Sequence, residues 1–126
     1  MREQIRDRYR LEHIIEACDR ILSFAENKTI EMLKADMLKY HGIIKNIEII
    51  GEASYKLTQS FRAIHPETPW EFIEKMRHVL VHDYYQINPK EVWKVINEDL
   101  RPLREQVQRY INETDWDAWE QQENTI

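Results

Sequence analysis

The sequence contains few of the residues that break helices or cross-link chains. Its 126 residues include two glycines, four prolines and one cysteine, Cys18. A lone cysteine excludes an internal disulfide and a cysteine-based zinc site. No apolar run approaches the roughly 18 residues that a spanning helix needs, and the charged start MREQIRDRYR lacks the apolar segment of a secretory signal. We therefore expect a single-domain cytoplasmic protein with no membrane contact.

An excess of positive charge is also missing. The chain has 23 acidic residues against 18 lysines and arginines, which gives a net charge of -5. Proteins that coat nucleic acid nonspecifically are usually basic, because lysine and arginine release counterions from phosphates. The balance argues against that class of protein, but it leaves room for a small, locally basic site.

Helical periodicity dominates the first half of the chain. Apolar residues at three- and four-residue spacing predict an amphipathic helix over residues 2–25, and Thr29 is a candidate cap for a short helix after it. A second stripe predicts one long helix from Ile43 to Ile64, which ends before Pro66. Gly51 lies inside this helix, where glycine costs about 1 kcal/mol relative to alanine, so we expect another helix to approach it closely.

Two proline-containing segments predict the starts of two more helices. Thr68 is expected to cap the first, with Glu71 three residues later completing a capping box. Asn88 is expected to open the last long helix in the same way. Pro102 lies within that helix and should kink it, because proline removes a hydrogen bond and crowds the preceding turn.

These elements predict an all-α protein, an up-and-down bundle of four to five helices. The bundle is expected to span residues 1–113. Residues 114–126 form a polar, acidic C-terminal tail, although Trp116 and Trp119 could dock it on another surface. No strand pattern, internal repeat or low-complexity linker is present.

The nine residues RHVLVHDYY form the most unusual stretch of the chain. On a helical wheel an apolar set is predicted to face the core, and the other residues are predicted to share the opposite side. Arginine and aromatic residues with little lysine are typical of buried interfaces. We therefore expect the second side to pack on a partner, most simply a second copy related by a two-fold axis. The first set is Phe72, Ile73, Met76, Val79 and Leu80, and the second is Arg77, His78, Val81, His82, Tyr84 and Tyr85.

Arg77 and His82 are the candidate catalytic residues. Histidine suits proton transfer near neutral pH, and arginine stays charged and binds phosphate through a bidentate fork. Phosphodiester cleavage needs both a proton-transfer group and stabilisation of developing charge. One alternative is a dimer interface that merely contains histidines. Another is a metal site on His78 and His82, but Val79 follows His78, so HExxH is absent, and no third ligand is evident.

At these residues the sequence resembles a known family. Arg77, His82 and Tyr84 match the R-x4-H-x-Y motif of HEPN-domain proteins of the HepT type. The resemblance extends over nearly the whole chain, up to about Thr114. Three more segments resemble the family, in the same order along the chain. Ile49 to Ala53 resemble its IGEA segment, Pro69-Trp70 its proline-tryptophan helix start, and Val92-Trp93 its helix after the motif.

The resemblance implies a fold, an activity and a partner. It implies an all-helical, HEPN-like homodimer that acts as the toxin of a bacterial or archaeal toxin–antitoxin pair. The resemblance further implies a metal-independent endoribonuclease without a cofactor, with a site of Arg77 and His82 at the dimer cleft. His78, directly after Arg77, is a candidate auxiliary residue that we add from its position, where the family usually has a polar residue. The resemblance also implies an antitoxin, a minimal nucleotidyltransferase that can transfer AMP onto the motif tyrosine, here Tyr84. The neighbouring Tyr85 is our second, less favoured candidate for this modification. Charge added at Tyr84 would compete with RNA phosphate for Arg77.

Two questions stay open at the level of sequence. Glu52 could orient Arg77, or it could form an ordinary surface pair, which is the simpler interpretation. The chain could also be a non-catalytic helical partner or substrate-binding module of a nucleotidyltransferase. A purely structural dimer is a third interpretation, in which both Arg77 and His82 would be replaceable.

Overall fold

The computed structural model describes the backbone of residues 6–81 and 88–124, and the side chains of residues 6–77 and 88–122. Every regular element in these ranges is a helix, which confirms the predicted all-α class. None of the described helices is long and apolar enough to cross a membrane.

The described elements in chain order are α1 (Asp7–Ala25), α2 (Ile30–Ala35), α3 (Met37–Lys56), α4 (Gln59–Ile64), α5 (Trp70–Val81), α6 (Pro89–Lys94), a π-helical turn (Val95–Asp99), α7 (Leu100–Glu113) and α8 (Trp116–Asn124). Four of them form the centre of the bundle: α3 lies between α1 and α5 and contacts both extensively, and α7 packs against α1. The core is built from the apolar stripes of these helices, including Leu11, Ile14 and Ile21 of α1 and Ile43, Ile47 and Ile50 of α3.

The long helix predicted from Ile43 to Ile64 is two helices, so that prediction was wrong. α3 ends at Lys56, and α4 begins after Thr58, whose hydroxyl accepts the Phe61 N–H at 3.2 Å. The backbone N–H of Thr58 donates to Asp7 at 2.9 Å instead of continuing the helical ladder. The apolar stripe continues across the break, which is why periodicity alone indicated one helix.

Of the two predicted helix caps, Asn88 and Thr68, the structure confirms the first and differs at the second. Asn88 caps α6 as predicted, because its side chain accepts the Lys90 N–H at 2.9 Å. The hydroxyl of Thr68, in contrast, donates to Gln106 at 2.7 Å and also contacts the Tyr110 hydroxyl. Thr68 therefore ties the start of α5 to α7 instead of capping the first turn of α5.

The irregularity expected at Pro102 takes the form of a π-helical turn just before it. In this wider turn the N–H of Leu100 donates to the carbonyl of Val95, five residues earlier. A proline ring crowds the carbonyl four residues before it, and π-turns are one way a helix absorbs such a disruption. α7 then continues to Glu113.

The tryptophans after Thr114 dock on the bundle itself. Trp116 and Trp119 of α8 are both buried and pack against the ring of Phe61. The indole N–H of Trp119 donates to Asp7 at 2.9 Å, and Asp7 is fully buried. Asp7 thus joins α1, the start of α4 and α8.

Candidate active site

The close approach predicted at Gly51 occurs between α3 and α5. A Cβ atom placed on Gly51 would lie 3.0 Å from both the Cβ and the backbone nitrogen of Arg77, and 3.2 Å from the carbonyl oxygen of Ile73. These distances are shorter than ordinary van der Waals contact. The glycine therefore lets the two helix backbones meet at the position of Arg77, which confirms the interpretation drawn from its helical cost.

Arg77 is held by two residues of α3 that follow this glycine. Its Nη1 donates to the Glu52 carboxylate at 2.9 Å. Its guanidinium carbon lies 3.8 Å from the ring centroid of Tyr55, in a cation–π contact. The Arg77 side chain is only 18% exposed, whereas that of Glu52 is 47% exposed. Of the two roles left open for Glu52, the geometry is that of a residue that orients Arg77.

The predicted wheel placed Arg77 opposite the core, and this placement was wrong. Arg77 follows Ile73 by four residues, a turn of only about 40°, and both face α3. Phe72 was also misplaced, because it was predicted to face the core and is 49% exposed. Trp70 takes a core position instead and donates its indole N–H to the carbonyl of His65 at 3.0 Å.

Tyr55 was not singled out in the sequence, although a signal for it existed. It follows Glu52 by three residues, so both side chains lie on one face of α3 and can reach a single group. Lys56 follows Glu52 by four residues, and its Nζ lies 3.6 Å from Glu52 Oε1. Glu52 therefore lies between two cations, Arg77 and Lys56.

The guanidinium of Arg77 keeps donors for a ligand. Arginine has five N–H donors in a planar fork, and the hydrogen bonds described for Arg77 use one of them, on Nη1. Its Nε is fully covered, without a hydrogen-bond partner in the part of the chain that the structure describes, so a ligand must bind the terminal nitrogens instead. A charged, partly buried and oriented guanidinium is a suitable group for binding one phosphate.

The remaining predicted site residues lie outside this description. His82, Tyr84 and Tyr85 fall between the described ranges, and for His78 only the helical backbone is described. Their roles stay predictions. Among the described side chains, no group of three or more histidine, cysteine, aspartate or glutamate residues could hold a metal ion.

Comparisons with known proteins place these features in a family. The family described as "Ribonuclease HepT-like" matches residues 14–110. This range includes Gly51, Glu52, Arg77 and His82, so it covers both the described contacts and the motif. No solved structure gives a significant match to the chain.

Several curated relatives match most of the chain. A Thermococcus cleftensis protein named "Probable ribonuclease HepT" is 35% identical over 94 residues, which cover 75% of this chain and 86% of that protein. A protein provisionally named as an RNase, from Caldanaerobacter subterraneus subsp. tengcongensis, is 31% identical over 101 residues, covering 80% of this chain and 90% of that protein. Another provisionally named RNase, from Methanocaldococcus jannaschii, is 30% identical over 96 residues, covering 75% and 87%. The chain therefore belongs to the HepT-like ribonuclease family.

Proposed function

We propose that this protein is the toxin of a toxin–antitoxin pair and cleaves RNA internally without a metal ion. Arg77 and His82 form the site, which lies in the cleft between two copies of the chain. The observation that carries the proposal is the oriented, partly buried Arg77 guanidinium, held by Glu52 and Tyr55 in a chain of the HepT-like ribonuclease family.

The proposed reaction is a transesterification within the RNA strand. The 2'-oxygen forms a bond to the adjacent phosphorus, and the bond from phosphorus to the 5'-oxygen breaks. The 2'-hydroxyl proton passes to a base, and the 5'-oxygen leaves with a proton. The products are a 2',3'-cyclic phosphate and a 5'-hydroxyl. DNA lacks the 2'-hydroxyl and cannot react in this way.

Arg77 and His82 have separate tasks in this reaction. His82 moves the proton as general base or acid, and His78 assists as an auxiliary residue. Arg77 binds the non-bridging oxygens and stabilises the charge that builds up on them in the transition state. Because Glu52 and Tyr55 already orient the guanidinium, little reorganisation is needed when the phosphate arrives.

The proposal includes a partner and a mode of control. A minimal nucleotidyltransferase antitoxin transfers AMP from ATP onto Tyr84, with pyrophosphate as the leaving group. The added phosphate carries negative charge and competes with RNA for Arg77. The intact mass of protein co-expressed with the antitoxin tests this step: a gain of AMP mass in wild type that is lost in Tyr84→Phe supports it, and an unchanged wild-type mass contradicts it.

Cleavage by the purified protein tests the nuclease proposal. Wild-type protein should cleave RNA in the presence of a chelator, and Arg77→Ala and His82→Ala should each abolish cleavage while remaining folded dimers. Full activity in both variants would refute the assignment of the site. Loss of wild-type activity on chelation would instead favour metal-dependent cleavage.

Expression in cells separates the toxin from the alternative of a non-catalytic partner module. Expression of the chain without its antitoxin should arrest growth, and His82→Ala should relieve the arrest. Harmless expression of the wild-type chain favours the accessory module.

A further inference from the structure

A second group of cations lies next to the proposed site, between α1 and α3. It lines a pocket of about 150 Å³, which we term the α1–α3 pocket. Because α3 lies between α1 and α5, the pocket is adjacent to Arg77, and Glu52 belongs to both. The residues that line it are Arg10, His13, Ile49, Glu52, Ala53 and Lys56.

The balance of charge around this pocket is positive. Glu52 is the one carboxylate that lines it, and its two oxygens already contact Arg77 at 2.9 Å and Lys56 at 3.6 Å. Arg10 adds a third cation to the same surface. Among the lining residues, Arg10 and Lys56 against Glu52 leave an excess of one positive charge, and Arg77, which also pairs with Glu52, adds another beside the pocket, in a protein whose net charge is -5. Such a local excess attracts an anionic ligand.

Arg10 is a cation without an anionic partner in the described structure. Its side chain is half-buried, and its Nε is fully covered without a hydrogen-bond partner in the described ranges. The neighbouring arginine on the same helix, Arg8, has its charge satisfied by Glu12 at 3.1 Å. The covered Nε cannot reach a ligand, so a ligand in this pocket would contact the terminal nitrogens of Arg10.

Aromatic surface borders the same pocket. The ring of His13, which lines the pocket, lies 4.2 Å from the ring of Tyr9, and Tyr9 is exposed. Cations interleaved with aromatic rings are the surface that single-stranded RNA recognition uses, because phosphates bind the cations and splayed bases stack on the rings. An acidic peptide would use the cations but would not require the rings.

The volume of the pocket restricts the ligand. About 150 Å³ is well below the roughly 300–1,000 Å³ of sites that enclose a cofactor-sized molecule. The pocket can hold one sugar–phosphate unit of a chain whose remainder lies on the surface.

We propose that the α1–α3 pocket is an RNA subsite, which binds a phosphate next to the one that is cleaved. Arg10 and Lys56 bind this phosphate, and the Tyr9–His13 pair stacks on the flanking base. The subsite rests on the proposed function, because it takes the strand that Arg77 acts on. It assigns α1 and α3 a role in substrate binding in addition to supporting Arg77.

A matched pair of double variants tests the subsite. The pocket variant is Arg10→Gln with Lys56→Gln. The control is Arg8→Gln with Lys45→Gln, which removes the same charge from the same two helices at exposed positions paired with Glu12 and Glu48. Both are made in a His82→Ala background, so that RNA binds without being cleaved. Tyr9→Leu, at an exposed position, is a second variant that should not disturb folding.

Fluorescence anisotropy with a short single-stranded RNA gives the result. The pocket variant should raise Kd at least about tenfold, the size expected for lost hydrogen bonds to a charged group. The dependence of log K on log salt should also become shallower by about 0.7, because the two cations bind one phosphate of a single strand. Tyr9→Leu should raise Kd by about fivefold or more, and the control should bind within about twofold of its parent.

Two results would overturn the subsite. Equal binding by the pocket variant and the control would show that the cations do not bind RNA. Unchanged RNA binding with lost binding of the antitoxin would show a protein-binding surface instead. In active protein the pocket variant should raise KM and leave kcat within about twofold. If wild-type protein does not cleave RNA, the proposed function fails, and the anisotropy measurement still decides the subsite.

Discussion

Gly51 lies so close to Arg77 that a Cβ on residue 51 would be only 3.0 Å from the Arg77 backbone nitrogen. The glycine brings α3 so close to α5 that the next residue, Glu52, reaches the Arg77 guanidinium. The position of the proposed catalytic arginine therefore depends on the absence of one side chain on the neighbouring helix.

Gly51→Ala should lower both stability and activity. Alanine favours a helix by about 1 kcal/mol over glycine, but overpacking a tight contact costs about 1–3 kcal/mol. The atoms in the way include the backbone of Arg77 and Ile73, so the helices must separate. We expect a net loss of about 1 kcal/mol in urea unfolding, and at least about a tenfold loss in kcat as Arg77 moves.

Gly42→Ala is the matched control on the same helix. A Cβ at Gly42 would lie 3.4 Å from the ring of Phe24, which is an ordinary contact with a side chain that can adjust. This variant should gain up to about 1 kcal/mol from helix propensity and keep full activity. Equal effects from both substitutions would contradict the role given to Gly51.

Replacing Glu52 should affect catalysis more than stability. Its side chain is 47% exposed, so its pair with Arg77 contributes less than about 1 kcal/mol to folding. Glu52→Ala should lower kcat about tenfold because Arg77 is no longer oriented. KM should not rise, since a carboxylate that repels phosphate has been removed. Glu48→Ala, on the same helix, is the control, and an unchanged kcat in Glu52→Ala would contradict the positioning role.

The buried contacts of Asp7 predict a large effect on stability. Its carboxylate accepts from the Thr58 N–H at 2.9 Å, the Thr58 hydroxyl at 2.7 Å and the Trp119 indole at 2.9 Å. Asp7→Ala would leave these buried donors without a partner, which should cost about 2–4 kcal/mol in chemical denaturation. Asp19→Ala on the same helix removes only an exposed ion pair with Arg104 and should cost less than about 1 kcal/mol. Similar losses in the two variants would contradict this assignment.

His65 predicts a dependence of stability on pH. Burial lowers the pKa of His65 below its ordinary value, and its ring stacks on Tyr110 at 3.9 Å. The unfolded chain therefore binds the proton more readily than the folded one, so stability falls as pH drops below about 6.5. His65→Phe keeps a stacking ring without a titrating group.

Unfolding free energies at pH 7.5 and pH 5.5 measure this effect. Wild-type protein should lose more stability between the two values than His65→Phe does. The pKa of Glu67 is lowered, chiefly by a hydrogen bond from its own backbone and by a hydrogen bond from Tyr110. The titration of Glu67 therefore changes the stability only below about pH 4.5, outside the measured range. An identical pH dependence in both proteins would show that His65 titrates alike in the folded and unfolded states.

Local signals in the sequence predicted much of the fold. The cap at Asn88 was predictable because capping is decided within a few residues. The close approach at Gly51 was predictable because glycine destabilises a helix, so its presence inside one indicates a contact that a larger side chain would block. The break at Thr58 was not predictable from periodicity, since its partner Asp7 lies 51 residues earlier in the chain. The bond from Trp119 to Asp7 spans 112 residues and has no local signal either.

The site was predicted in part. Arg77 was recognised through its motif, and Glu52 was recognised as a residue that could orient it. The side of α5 that Arg77 occupies was predicted wrongly. Phe72 was assigned to the core in place of Trp70, so the predicted core-facing side of the helix is rotated relative to the observed one. Tyr55 and Arg10 were missed, because their importance comes from the packing of α1, α3 and α5 together.

The chemical ends of the cleavage products test the central claim most directly. If Arg77 stabilises attack by the 2'-hydroxyl, wild-type protein in chelator should leave a 2',3'-cyclic phosphate and a 5'-hydroxyl, and a single 2'-deoxy substitution at the cleaved position should block the cut. A 3'-hydroxyl with a 5'-phosphate, or a cut that survives the 2'-deoxy substitution, would contradict it.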